Sequence, residues 1–145
     1  MAQTQFGRYD KYDGFVGGFR APLNAAMSTT SNDVGKVQAV GVNASGKVIV
    51  GSAAVTGIVG LVCPTKVMAA GDVIDVMVRG EIMDVVKTAA GGAWTVGDLV
   101  YAHADGTVDA VATAGVVVGR ILEGPKASGL GARMLVTVPV ATTAS

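Results

Sequence analysis

Two stretches, Ala70-Gly71-Asp72-Val73-Ile74 and Val96-Gly97-Asp98-Leu99-Val100, repeat one pattern, and their reading decides the fold class. In each, a glycine free to take positive φ precedes an aspartate whose side chain can bond nearby backbone, and apolar residues then enter a strand. The second stretch runs on through Tyr101-Ala102-His103, breaks at Ala104-Asp105-Gly106 and resumes as Thr107-Val108-Asp109-Ala110-Val111. That is how a hairpin with an Asp-Gly turn is written. Gly115 to Glu123 and Gly131 to Val138 follow as two further apolar runs, so the chain closes on a β-meander.

Working outward, Lys36 to Val42 and Lys47 to Gly51 flank Asn43-Ala44-Ser45-Gly46 and predict another hairpin. Val55 to Cys63 is nearly all apolar, which predicts a strand covered on both faces and ended by Pro64. Val73 to Ile82 reads as one strand, with Ile74, Val76 and Val78 on one face. Asp75, Met77 and Arg79 take the other, so Asp75 and Arg79 can pair. Asp84 to Ala90 reads as loop, stopped by Gly91-Gly92. Twenty-one glycines in 145 residues are about twice the usual share of ~7%, and valine is abundant while helix-favouring residues are thin. The expected architecture is all-β: a small, mostly antiparallel barrel or sandwich over residues 34–140, with little helix and a short disordered tail at 141–145.

Residues 1–33 read differently, as an extended N-terminal arm and linker. Phe6, Tyr9, Tyr12, Phe15 and Phe19 are five of the seven aromatics, interleaved with Arg8, Asp10, Lys11, Asp13 and Arg20. Their three-residue spacing fits neither an α-helix nor a strand, and Gly7, Gly14, Gly17 and Gly18 oppose a helix. Such aromatics anchor the arm on a partner, plug the bottom of the barrel, or belong to a disordered segment. Trp94 is likewise a lid on the barrel end or an interface anchor.

Eleven basic and eleven acidic residues cancel, with no run long enough to track a phosphate backbone, so nucleic acid is not the expected partner. Nor is a membrane: the N-terminus lacks signal-peptide organisation, and the longest apolar run is too short to span about 30 Å of hydrocarbon. Synthesis in the cytoplasm is expected. A neutral, apolar β-domain should instead associate with itself.

Catalysis is not expected. His103 sits at a hairpin tip without a nucleophile motif and reads as a solvated turn residue, and Cys63 reads as a packed, inert thiol that cannot form an intrachain disulfide. Asp98, Asp105 and Asp109 lack the spacing of a calcium loop, so turn chemistry accounts for them. No metal or cofactor is expected, and no glycine run has the context of a phosphate loop.

From Val67 to Val138 the order Gly80-Glu81-Ile82, Gly97-Asp98-Leu99-Val100-Tyr101, Asp105-Gly106-Thr107-Val108, Val116 to Glu123 and Gly131 to Val138 resembles the small β-barrel of tailed-phage capsid decoration, or cement, proteins. The resemblance implies a non-enzymatic virion protein. It would form homotrimers on the outside of an icosahedral head, at local three-fold positions of the major capsid protein. On that reading Phe6, Tyr9, Tyr12, Phe15 and Phe19 anchor the arm on capsid or neighbouring decoration subunits, with Trp94 a possible interface residue. The arm itself matches no pattern of the family. The alternative from the residues is a ligand- or carbohydrate-binding β-barrel module on a virion or cell surface, for which the strand region offers only Tyr101 and Trp94.

Overall fold

The computed structural model describes residues 17–27, 36–85, 94–124 and 132–139. Ten strands are present: β1 (Gly18–Pro22), β2 (Gln38–Val42), β3 (Val48–Val50), β4 (Gly60–Val62), β5 (Val73–Met77), β6 (Arg79–Val85), β7 (Leu99–Ala102), β8 (Val108–Asp109), β9 (Val116–Glu123) and β10 (Ala132–Thr137). They form two five-stranded antiparallel sheets, ordered β1-β5-β4-β2-β3 and β6-β10-β9-β7-β8. The expected all-β class is what the chain adopts, and no α-helix occurs among the described residues.

Both Gly-Asp stretches make the same turn. Gly71 and Gly97 sit at φ 89 and 90, Asp72 and Asp98 each donate their N–H to the carbonyl three residues back, and each carboxylate accepts the N–H of that same residue. These are type II turns, closed from outside by the aspartate side chain, and they launch β5 and β7. Both hairpins also form as read. Gly46 N–H reaches Asn43 O at 2.9 Å and Gly106 N–H reaches His103 O at 3.0 Å, and each turn ends on a positive-φ glycine. That is the three-residue loop with a glycine bulge.

The two strand orders are the same permutation, so the fold is a structural duplication. In the first sheet Ala39, Leu61, Met77 and Gly18 are successive partners across β2, β4, β5 and β1. In the second, Leu99, Arg120, Leu135 and Glu81 are successive partners across β7, β9, β10 and β6. The rows are equivalent yet face different surroundings. Ala39 and Leu61 are buried in the core between the sheets, with Met77 packed against it. Arg120 and Leu135 point outward. The two halves therefore stack front to back, not face to face. The back of the first sheet, Val40, Val62, Ile74 and Val76, is closed by Leu23, Met27 and Met68 in a second core.

Three expectations change. Val55 to Cys63 is not one strand: Val55–Gly57 is a 3-10 turn and only Gly60–Val62 is extended, though β4 is central and fully buried as expected. The chain must cross over β2 to travel from β3 to β4, and it does so above Gly41, where a Cβ would lie 2.8 Å from Gly51 O and 3.1 Å from Gly57 O. Val73 to Ile82 is two strands in different sheets, broken at Val78, because the N–H groups of Val78 and Arg79 both donate to Gly17 O, at 2.7 and 2.8 Å, in a bulge that turns the chain. Asp84 and Val85 belong to β6, not to a loop. Sheet structure also begins at Gly18, within the segment assigned to the arm, and Leu23 and Met27 are core residues.

Candidate interaction surface

Of the five arm aromatics, Phe6, Tyr9, Tyr12 and Phe15 lie outside the described residues. Phe19 is on β1, an edge strand, opposite Val76 and 37% exposed. Beside it Arg20 Nε meets Asp75 Oδ1 at 2.5 Å across the β1–β5 ladder, so Asp75 pairs with a neighbouring strand and not with Arg79. This exposed ion pair contributes at most about 1 kcal/mol. It edges a groove of about 650 Å³ where the sheets splay apart between β1, β5 and β6; Leu61, Met77, Cys63 and Ile82 give it an apolar floor. Burial raises the pKa of the Cys63 thiol, which keeps it protonated and unreactive at neutral pH.

The second surface is the outer face of the second sheet, the counterpart of the face that the first sheet uses for internal packing. Leu135 and Val117 are 42% and 39% exposed there, with Leu99 and Tyr101 half-buried beside them. Arg133 Nη1 donates to Glu81 Oε1 at 3.1 Å and its Nε lies 3.7 Å from Glu123 Oε2, tying β6, β10 and β9 into a charged border. Arg120 Nη1 donates to Gly97 O at 2.6 Å, so that guanidinium is held on the face. Apolar centres within a charged rim are the anatomy of a protein interface.

Trp94 is buried to 3% exposure in the central core, and its indole N–H meets no acceptor among the described residues. It offers a partner almost no ring area. Tyr101 is half-buried, so neither of the two aromatics on which the sugar-binding alternative rests is an open platform.

His103 departs from its reading as a solvated turn residue. Its ring is 14% exposed, and Nε2 lies 2.8 Å from Asp109 Oδ1, the carboxylate of the one buried charged residue among those described. The segment from β8 to β9 crosses β7 on this side, with Val111 N–H also donating to Asp109 Oδ1 at 2.8 Å. The crossing is tight: a Cβ on Gly115 would lie 3.0 Å from both the His103 ring and Tyr101 Cβ. The hairpin tip bonds to the first sheet, Ala39 N–H to Gly106 O and Ser52 N–H to Ala104 O, both at 2.8 Å. The pair is a structural clamp across the β7–β8 hairpin. Sequence reasoning missed it because the burial comes from the crossing segment, which local pattern does not reveal. Among the described residues no cluster of histidine, cysteine and acidic side chains suits a metal.

Comparison with known proteins finds likeness to a family and to a solved fold. A family model described as phage cement protein matches residues 24–138. A solved structure from Mycobacterium phage Patience superposes with a TM-score of 0.67 at 23% identity, covering 90% of this chain and 95% of that one. At that identity the likeness is one of fold. No curated protein matches the sequence.

Proposed function

The chain belongs to the phage cement protein family, a capsid-associated structural family, and from that premise we propose that it decorates the outside of an icosahedral head as a homotrimer at local three-fold positions of the major capsid protein. The observation that carries this reading is the family match across residues 24–138, which takes in nine of the ten strands. In this reading the aromatic arm does the gripping. The described chain starts at Gly17, on the rim of the groove, with Phe19 exposed just beyond it. Phe6, Tyr9, Tyr12 and Phe15 precede that edge in the sequence and, in this reading, contact capsid or neighbouring decoration subunits. The ten strands act as the folded unit, and the outer face of the second sheet gives the trimer or the capsid its broader contact.

Burying one phenylalanine-sized side chain is worth about 1.5 to 3 kcal/mol, so three docked aromatics dominate attachment even after ordering costs. The test replaces Phe6, Tyr9 and Tyr12 with serine, leaving every described residue in place. Retention on purified heads should fall at least about a hundredfold, which is under 3 kcal/mol, while the mass in solution stays that of a trimer. Unchanged retention refutes the arm as the grip, and a persistent monomer that ignores heads refutes the decoration reading.

A further inference from the structure

We propose that the open edge of β6 accepts an added β-strand: an extended segment of a capsid subunit, with apolar side chains at alternate positions and a carboxylate that meets Arg79. That the donor is a capsid subunit rests on the decoration reading; the edge itself is a property of this fold. Two five-stranded sheets have four edges, β1, β3, β6 and β8. Three are protected against pairing. β1 ends in Pro22, which lacks an N–H; β3 is met from outside by Leu23 and by the Asn24 N–H, 2.9 Å from Val48 O; and β8 is two residues long. β6 runs for seven residues, contains no proline, and pairs only with β10 among the described residues.

The register shows which backbone groups this edge offers. Val138 N–H donates to Val78 O, so Arg79 and Thr137 stand opposite each other without bonding, and Arg79 turns its N–H and C=O away from β10. Its N–H accordingly reaches Gly17 O, at 2.8 Å, on the far side. Two residues on, opposite Leu135, Glu81 repeats that orientation and turns its N–H and C=O to the open edge. The side chains beside the edge define what can lie on it. The groove along β6 has Leu61, Met77 and Ile82 in its floor, and strand side chains alternate, so every second residue of an added strand would settle on apolar surface. On the rim, Asp75 is held by Arg20 and Glu81 by Arg133. The exposed Arg79 has no ion pair among the described residues, so the complementary charge is left for the donor to bring. A second copy does not supply this strand from its described edges. β1 offers a cation, Arg20, and no carboxylate; β3 and β8 are closed or too short; and pairing β6 antiparallel with itself needs a two-fold axis, which a cyclic trimer lacks.

The test uses the full chain and purified heads. The amide of Glu81, resolved by fragmentation after hydrogen exchange, should exchange at least about tenfold more slowly on heads than in the free protein. Glu81→Pro removes that N–H while sparing the bonds to β10, and Arg79→Glu sets like charge against the donor's carboxylate; each should lower retention on heads at least about tenfold. Retention of the wild type with unchanged exchange at Glu81 overturns the proposal and leaves the decoration reading standing. A folded Glu81→Pro variant retained like the wild type overturns it too. An amide already slow in the free protein overturns it in favour of a contact within or between copies. A wild type that heads do not retain refutes the decoration reading, and the capsid donor with it. Should Glu81→Pro fail to fold, exchange in the wild type decides.

Discussion

Replacing His103 with alanine should destabilise the protein substantially, although the residue sits in a hairpin turn. The substitution leaves Asp109, 6% exposed, with one donor, the Val111 N–H, where it had two. Stranding a buried acceptor costs about 1 to 3 kcal/mol, and more where the acceptor is a carboxylate. Because the ring retains some exposure and Val111 still donates, we place the loss at about 2 to 4 kcal/mol. At about 2 to 4 °C per kcal/mol for a chain of this size, the thermal midpoint should fall by roughly 4 to 15 °C. Urea denaturation of the wild type, His103→Ala, Asp109→Ala and the double variant gives the coupling directly. The double variant should be little worse than the worse single one, because the second substitution removes the group that the first left unpaired. A loss within about 0.5 kcal/mol for His103→Ala, the usual range for a surface change, would refute the clamp.

Two further changes probe the ladders and the turns. Gly119→Ala should leave little soluble protein, since the new Cβ would lie 2.2 Å from Leu135 O inside the β9–β10 ladder; Gly71→Ala, with nothing within 4 Å but φ at 89, should cost only about 1 to 2 kcal/mol by denaturant titration. Acid should weaken the fold through Asp98 and Asp105, whose carboxyls are held below their usual pKa first by the backbone N–H and then by the hydroxyl of Thr95 and Thr107 respectively. A lowered folded pKa stabilises above the unfolded value of about 4 and is lost as pH falls through the folded value. Midpoints of the wild type and an Asp98→Asn, Asp105→Asn variant, measured from pH 7 down to 2, should therefore converge at the acid end; a constant gap would refute the linkage.

The features legible in the sequence are those fixed within a few residues. Gly71-Asp72, Gly97-Asp98, Asn43 to Gly46 and Asp105-Gly106 each close on their own backbone, so residue identity is enough to predict the turn. The break at Val78 was not legible. Alternation continues through it, and what turns the chain is Gly17, some sixty positions away in sequence. The duplication was hidden for a related reason. Its equivalent rows match Leu61 with Arg120 and Met77 with Leu135, because one face is buried in the first copy and open in the second. The repeated Gly-Asp pattern even points elsewhere, since Asp72 opens β5 and Asp98 opens β7, which occupy different places in the two sheets. The family resemblance could be read from the sequence. The exposed row on the second sheet could not, because an alternating strand does not say which of its faces is covered.

Front-to-back stacking also bears on how the molecule meets other copies. A two-fold pair of sheets would use like faces and leave like faces, whereas this arrangement consumes one front and one back and leaves one of each. Two such free faces form a heterologous contact, the kind that propagates into rings or filaments unless something stops it. Here the back is closed from within the chain: Leu23, Met27 and Met68, each under 10% exposed, seal Val40, Val62, Ile74 and Val76. The front, with Leu135, Val117 and the bordering Glu81, Arg133 and Glu123, has no such cover among the described residues. No copy can therefore stack its closed back on another's open front by repeating the internal contact. The duplication leaves the front of the second sheet uncovered among the described residues, and the cap keeps the matching back of the first sheet from serving as its partner.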